Sequence, residues 1–535
     1  MTATANVPAH VAERVALADS WLLWRDFAVR SAGFPIDGLG VFGPGDESAR
    51  LRAVARDPAF REAMTWQNPA AVANALDKLG DAAGSSTARR REDVVASYWQ
   101  RYCAQNDTIG FYGPLAWGRV ADWPSGALHA HSGSLIRRRS VHLETWAIQA
   151  LAASIDPGLR VALGPHSEDH LRALLEEHPD ARPLAYVDCM RDLDVTLGPE
   201  FLEGLEPALA ALFEAGRWYC GRIQAIGEAV IAAALPEDGE RMPFGAVVAR
   251  ILPQLMQLPP AIGAEVAELQ RRMAALIADP DVGTLAARAR IVFADHRPAW
   301  PLGCYQSVDV QIAARDEQAI RDGDYLAVIG DMHPGSNPLL QGRFGNHHPS
   351  PARMYELVCH EAGAEVVDAD GELRVCLAQV FAMPISVMAV RTFEPWAAQP
   401  HQPRLTVGRV VLRREAWAVA ADEIPDALDA WARDLGMPRR VFVKTPNERK
   451  PFYLDLDSAV LRRIALRHIR AAAGREEPVR FTEMLPGPDR CWLSDAAGRR
   501  YASELRLVGV EDASVLIGSA ASAGPLTWRL AQSSA

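Results

Sequence analysis

Lysine is nearly missing from this 535-residue chain: Lys78, Lys444 and Lys450 are the three lysines among 56 basic side chains. No G-K-[ST] step exists, which excludes a phosphate loop of that type, and lysine-centred catalysis has few candidates. Cysteine is sparse too. Its seven residues are scattered and never paired as C-x-x-C, so a reduced, cytoplasmic protein is the expectation. Long apolar runs are absent. The richest stretch, 375–390, is short and contains Gln379, Pro384 and Ser386, whereas a membrane span needs roughly 18–20 apolar residues. Glu13, Arg14, Asp19 and Arg25 interrupt the first 34 residues, which argues against a signal sequence. A G-x-S-x-G nucleophile elbow is also lacking.

What is present is ordinary globular material, 49% apolar and 23% charged. The length exceeds that of one hydrophobic core. A formal net charge of −11 argues against non-specific coating of nucleic acid. Charge is uneven, however: residues 401–535 hold 21 basic and 17 acidic side chains. Helical periodicity over Glu92–Gln105 places Arg101 and Gln105 one turn apart on one face. Residues 143–290 read as mostly helical, with alanine- and leucine-rich runs at Glu203–Ile231 and Ile262–Ile277. From Val292 onward short β-like runs dominate, including Tyr325–Ile329, Leu405–Leu412 and the hairpins Val441–Leu456 and Trp492–Val508. A turn-rich stretch is expected from Gly330 to Pro338. The pattern predicts an α+β fold of several subdomains, mixed sheets with a helical middle. Its expected segments are 1–125, a helical 126–290, a β-rich 291–400, a basic 401–520 and a tail, 521–535.

Four motifs bear on chemistry. Gly38-Leu39-Gly40-Val41-Phe42-Gly43 matches G-x-G-x-x-G, but Pro44-Gly45 follows where a helix should continue, so it is read as a decoy. His333, His347, His348 and His360, with Cys359 and Glu361, lack the ligand spacing of a zinc site, and no metal is expected. Arg462, Arg463, Arg467 and Arg470 line one face of a helix and are candidates for contact with a polyanion. The segment from Arg101 to Pro114 has the capping and turn residues of a helix end followed by a tight path.

Arg101 with Ile109-Gly110-Phe111-Tyr112 resembles the R-x-x-x-R-x-T-P-[FY]-G-L-F segment of lantibiotic dehydratases. Val29–Pro35 resembles that family's opening strand. Cys304–Asp309 with Ile329-Gly330-Asp331-Met332-His333-Pro334 resembles its central G-[ED]-x-H step. Pro403–Arg409 with Trp417 resembles its P-R-[IV] stretch, and Leu435–Arg439, Phe452–Leu456 and Glu483–Arg506 its closing part. These landmarks run in order over roughly residues 20–510.

The resemblance implies transfer of an aminoacyl group, glutamyl above all, from tRNA to Ser/Thr of a ribosomally made precursor peptide. The partners it implies are aminoacyl-tRNA as co-substrate, the peptide, and a separate elimination-domain protein; an oligomer is compatible with it. No cofactor is implied, because the aminoacyl ester is already activated. Arginine forks suit phosphate and carboxylate. The resemblance assigns site roles to Arg30, Arg101, Thr108, Asp295 and Arg404, and makes Arg462, Arg463, Arg467 and Arg470 the tRNA-binding candidates. The chain departs from the family at Gln105, Asp107 and Thr108, which stand where an arginine, a threonine and a proline are expected. Its length implies a compact, stand-alone relative without the elimination domain. Two alternatives stay open: extension of a peptide end, and a non-catalytic peptide-binding subunit, for which Gln105 is the main argument.

Overall fold

Sequence-distant runs of apolar residues alternating with charged ones meet side by side in one large sheet. A computed structural model describes residues 14–18, 20–80, 85–105, 115–120, 128–143, 185–235, 241–298, 304–336, 355–360, 363–368, 374–376 and 381–511. Thr108 and the rest of 106–114, His347, His348, Glu361, residues 144–184 and the tail beyond 511 lie outside them.

Among the described residues the largest sheet has eleven strands. They are β1 (Arg14–Ala18), β2 (Trp21–Trp24), β3 (Asp26–Ser31), β4 (Leu115–Val120), β5 (Leu128–Leu143), β6 (Ala185–Leu197), β8 (Tyr305–Ala313), β9 (Leu326–Pro334), β14 (Leu405–Val407), β15 (Val410–Arg413) and β22 (Ser503–Glu511). Their main order is β14-β15-β9-β8-β22-β3-β4-β6-β5, with β2 joining β1 to β22. A small sheet combines β7 (Arg241–Pro243), β10 (Tyr355–His360), β11 (Gly363–Asp368) and β12 (Arg374–Cys376). A third, all antiparallel, runs β13 (His401–Gln402), β16 (Ala416–Val419), β19 (Val479–Glu483), β17 (Arg440–Lys444) and β18 (Phe452–Asp455). A two-stranded ladder pairs β20 (Leu493–Ser494) with β21 (Arg500–Tyr501).

Period-two alternation gives the large sheet two unlike faces. Phe27, Val29, Val308, Val310, Leu505 and Leu507 point to one core, where the long helix α2 (Pro199–Ala234) lays Leu205, Leu209, Phe213 and Tyr219. Contact there is close. A Cβ on Gly509 would lie 2.4 Å from the Phe213 ring, so only glycine fits. Arg30, Asp309, Glu504 and Arg506 occupy the opposite face.

A second core joins the third sheet to helices α1 (Ser86–Ala104) and α3 (Ala459–Ala471) through Trp99, Tyr102, Phe452, Leu461, Ile464 and Phe481. Across it, buried Asp93 of α1 accepts from Arg463 at 2.6 Å and Arg467 at 2.7 Å. The glycine-rich Gly38–Gly43 stretch belongs to this core as a 3-10 turn, Ile36–Val41, rather than a strand-to-helix junction. Gly38 is glycine because Trp99 and Cys103 press against it, 2.7 Å from where a Cβ would stand.

The α+β class and most elements match the expectation from sequence. Several segments differ. Leu128–Leu143, Ala185–Leu197 and the short Arg241–Pro243, expected within the helical 126–290, are strands; in the second, Leu193, Val195 and Leu197 are buried at alternate positions, a period-two signal shorter than the helix that follows it. The expected turn at Gly330 arises later, because β9 continues to Pro334 and a bulge opposite Asp309 takes up the extra residues. Replacing Gly509 by alanine should lower stability by about 1–3 kcal/mol through forced repacking around Phe213, read as a lower urea midpoint with an unchanged far-ultraviolet spectrum.

Candidate functional site

The polar face of the large sheet starts with a register. Arg30 of β3 stands opposite Glu504 of β22, and Arg506 opposite Asp309 of β8. Arg30 and Glu504 pair at 3.0 Å. Arg506 grips Asp309 with two bonds, Nε at 2.6 Å and an Nη at 2.5 Å, both groups being largely buried. Burial pushes the Asp309 carboxyl up, but the Arg506 fork and His333 more than offset this and hold it below the usual carboxylate range. The His333 ring, from the adjacent strand β9, turns its Nε2 toward Asp309 at 3.7 Å. That atom makes no hydrogen bond among the described residues.

Where this face meets the third sheet there is a cleft of about 550 Å³. Gly330, Asp331, Met332 and His333 form one wall. Arg413, Arg414, Arg480 and Thr482 form another, and Phe393 and Trp396 supply apolar surface. Arg414 donates to the Leu485 carbonyl at 2.8 Å and the Gln311 side chain at 2.7 Å. Arg413 donates to the Pro403 carbonyl and lies over the Trp396 ring, 5.8 Å from its centroid. Burial pushes both guanidinium groups down. Among the described residues no carboxylate pairs with Arg413, Arg414 or Arg480.

A smaller pocket of about 200 Å³ lies in the second core, between Tyr98, Arg101, Phe452, Tyr453 and His468. Glu448 bridges Arg101 at 3.3 Å and His468 at 3.1 Å. Burial keeps His468 below the usual imidazole range despite that carboxylate, with Arg467 and Arg101 adding to the effect.

The residues singled out from sequence are therefore dispersed. Arg30 is on the polar face. Arg404 forks onto Glu483, next to Thr482 of the cleft wall. Arg101 belongs to the smaller pocket. Asp295 is half exposed in the helical layer, clipped bidentately by Arg272 at 2.6 and 2.9 Å, and lines neither pocket. Arg463 and Arg467 hold Asp93; Arg470 holds Asp426 and the Ile424 carbonyl, and Arg462 the Leu456 carbonyl. Gln105 ends α1, where its amide donates to the Pro451 carbonyl, while Gln100 accepts from Tyr453 N at 2.9 Å. These two amides cover the free edge of β18, so Gln105 has a structural task of its own. Asp309, Asp331 and His333 offer ligand atoms within 4.8 Å of one another; both Asp309 oxygens already accept from Arg506. Sequence reading passed over Arg413, Arg414, Arg480 and Arg506 as single residues. The available signal was charge at alternate positions of otherwise apolar strands, as in Glu504-Leu505-Arg506-Leu507.

A depressed carboxyl contributes stability above its unfolded value, near pH 4, and loses it as pH falls through the folded one. Asp309→Asn should therefore cost about 3–5 kcal/mol at pH 7 by stranding Arg506. The gap to the parent protein should narrow below about pH 4, as followed by urea unfolding across pH.

Comparison with known proteins adds the following. Residues 381–464, covering Arg404, Arg413, Arg414 and most of the second core's hairpin and helix, match the family model "Lantibiotic dehydratase, N terminus". The glutamylation domain TbtB from thiomuracin biosynthesis superposes with a TM-score of 0.51 at 16% identity, over 86% of this chain and 85% of that one. The tRNA-dependent lantibiotic dehydratase MibB from Microbispora sp. 107891 gives 0.48 at 14% identity, over 92% of this chain and 69% of that one. No curated protein matches by sequence. No helix among the described residues is long and apolar enough to cross a membrane. The chain thus shares the fold of a glutamylation domain, and its segment 381–464 matches the lantibiotic dehydratase N-terminal family model.

Proposed function

We propose that this protein transfers an aminoacyl group, glutamyl in the first instance, from aminoacyl-tRNA to a Ser/Thr hydroxyl of a ribosomally made peptide. The observation that carries the reading is the His333–Asp309–Arg506 row, set beside a cleft whose guanidinium groups have no acidic partner among the described residues. In the reaction the hydroxyl oxygen bonds to the ester carbonyl carbon, and the bond from that carbon to the ribose oxygen breaks. The hydroxyl proton must leave and the ribose oxygen must gain one. His333 serves both needs as a neutral ring: with the ring proton on Nε2, the atom that faces Asp309, Nδ1 is left to accept the hydroxyl proton and then give it to the ribose oxygen. No nucleotide hydrolysis is needed, in keeping with a chain that has no phosphate-loop lysine.

Arg30 and Arg404 would shape the two ends of the cleft through Glu504 and Glu483. Arg101 would act from the last turn of α1, and Thr108, outside the described residues, would keep the role the family resemblance gives it. Arg467 and Arg470 keep 52% and 41% of their side chains exposed, so each retains a flank for tRNA phosphate beside its internal partner, with Arg462 and Arg463 behind them. Asp295 would act only as a support of the helical layer. Elimination of the transferred group would fall to a separate protein.

The test is incubation of the purified protein with charged tRNAs and a precursor peptide, followed by intact-mass measurement. A glutamyl-sized adduct on a Ser or Thr is expected, and His333→Gln should slow its formation about 10²–10⁴-fold without weakening peptide binding. An adduct at the peptide terminus would replace glutamylation by chain extension. Peptide binding with no adduct from any tRNA would sink the transferase reading.

A further inference from the structure

The cleft wall made by Arg413, Arg414 and Arg480 calls for an explanation that the fold itself does not supply. Several half-buried arginines elsewhere in this protein are matched by acids, while Arg50 is capped by the Val41, Gly43 and Pro44 carbonyls. Arg404 has Glu483, Arg439 has Asp455, Arg463 has Asp93 and Arg506 has Asp309. The three cleft arginines break that pattern. They come from three places, the end of β15, the residue after it and the second residue of β19, yet line one cavity. Arg480 also stands opposite Lys444 in the third sheet, which adds a like charge across the ladder. Arg413 Nε makes no hydrogen bond among the described residues. The hydrogen-bond acceptors of Arg414 are neutral, the Leu485 carbonyl and Gln311 Oε1, with Ile329 O farther off at 3.5 Å.

Gathering three guanidinium groups in a partly dry cavity costs stability unless an anion joins them. Glu483, Asp331 and Glu504 act on Arg414 through space, but none forms an ion pair with it, and the acids that line the cleft, Asp331 and Glu394, are exposed and pair with none of the three. We infer that this wall is a binding site for a small oxyanion, a carboxylate or a phosphate, seated between the Arg413, Arg414 and Arg480 guanidinium groups. Each guanidinium offers planar N–H donors, so an ion with two or three oxygens can be met from several sides. Trp396, with Arg413 over its ring, and Phe393 provide a flat apolar flank, so the ligand carries carbon or a ring next to its charge. An amino acid with an acidic side chain and a nucleotide phosphate both have this chemistry. The inference deepens the transfer reading and rests on it only for the place of the cleft.

Calorimetric titration of the full chain with inorganic phosphate, with L-glutamate and with adenosine 5′-monophosphate tests the site without any turnover. At least one should bind with one-to-one stoichiometry. Arg413→Gln and Arg480→Gln should each weaken that binding about tenfold or more, whereas Arg433→Gln, on an exposed helix, should not. Tighter binding of glutamate identifies a carboxylate site, and tighter binding of the monophosphate identifies a phosphate site. The two variants lie in different elements, and unchanged circular dichroism shows that each is folded. Absence of binding by all three anions, or equal binding by wild type and both variants, overturns the proposal. A protein that binds the anion but transfers nothing keeps this site and loses only the transferase reading.

Discussion

The bidentate pair between Arg506 and Asp309 joins β22 to β8 in the middle of the large sheet, and the polar face depends on it. Removing either partner would leave a charge in a place where water is scarce. The pair also decides what its neighbours can do. Asp309 is held ionised by Arg506, so His333 faces a permanent negative charge. Arg30 and Glu504, one step along the ladder, repeat the arrangement and keep the adjoining strand in register. The same alternation that aims these charges outward sends Leu505 and Leu507 inward onto α2. Site and core are thus two sides of one register, and a one-residue slip would turn the charges into the apolar core and the leucines onto the polar face.

The cleft exists because two separately cored bodies meet there. One is the large sheet backed by α2; the other is the five-stranded sheet with α1 and α3. Their junction runs from β9 to β15 and on to β19, and that is where the guanidinium groups without acidic partners gather. The contrast with α3 is instructive. Its arginines, the most obvious basic feature of the sequence, are also the rivets of the second core, with Asp93 as their anchor. Density of charge along a helix therefore says less about ligand binding than whether each charge is answered from within.

Much of the fold was legible beforehand. Helical spacing marked α1 and α3, and the glycine- and asparagine-containing turns marked the hairpins near the C-terminal end of the described chain. The strand Ala185–Leu197 was hidden because its short alternation runs directly into the long helix Pro199–Ala234. The site was legible only in pieces. Gly330–His333 and Arg404 carried a family pattern, and Arg30 was visible beside its proline turn. Asp309 and Arg506 each ended a resembling stretch, but their pairing was not visible, since a bond spanning 197 positions leaves no local trace. Arg413, Arg414 and Arg480 look like ordinary surface arginines until their neighbours are known. Gln105 was misleading: its amide, read as a lost charge, covers a strand edge.

The central claim is that the polar face and its cleft, rather than the smaller pocket beneath Arg101, hold the reacting group. The most direct measurement is a crystal structure of the protein soaked with an amide-linked, non-hydrolysable glutamyl-adenosine analogue. The account predicts the glutamyl carbonyl beside His333 and an anionic group against Arg413, Arg414 and Arg480. Density between Arg101, Tyr98 and His468, with the large cleft left to water, would contradict it.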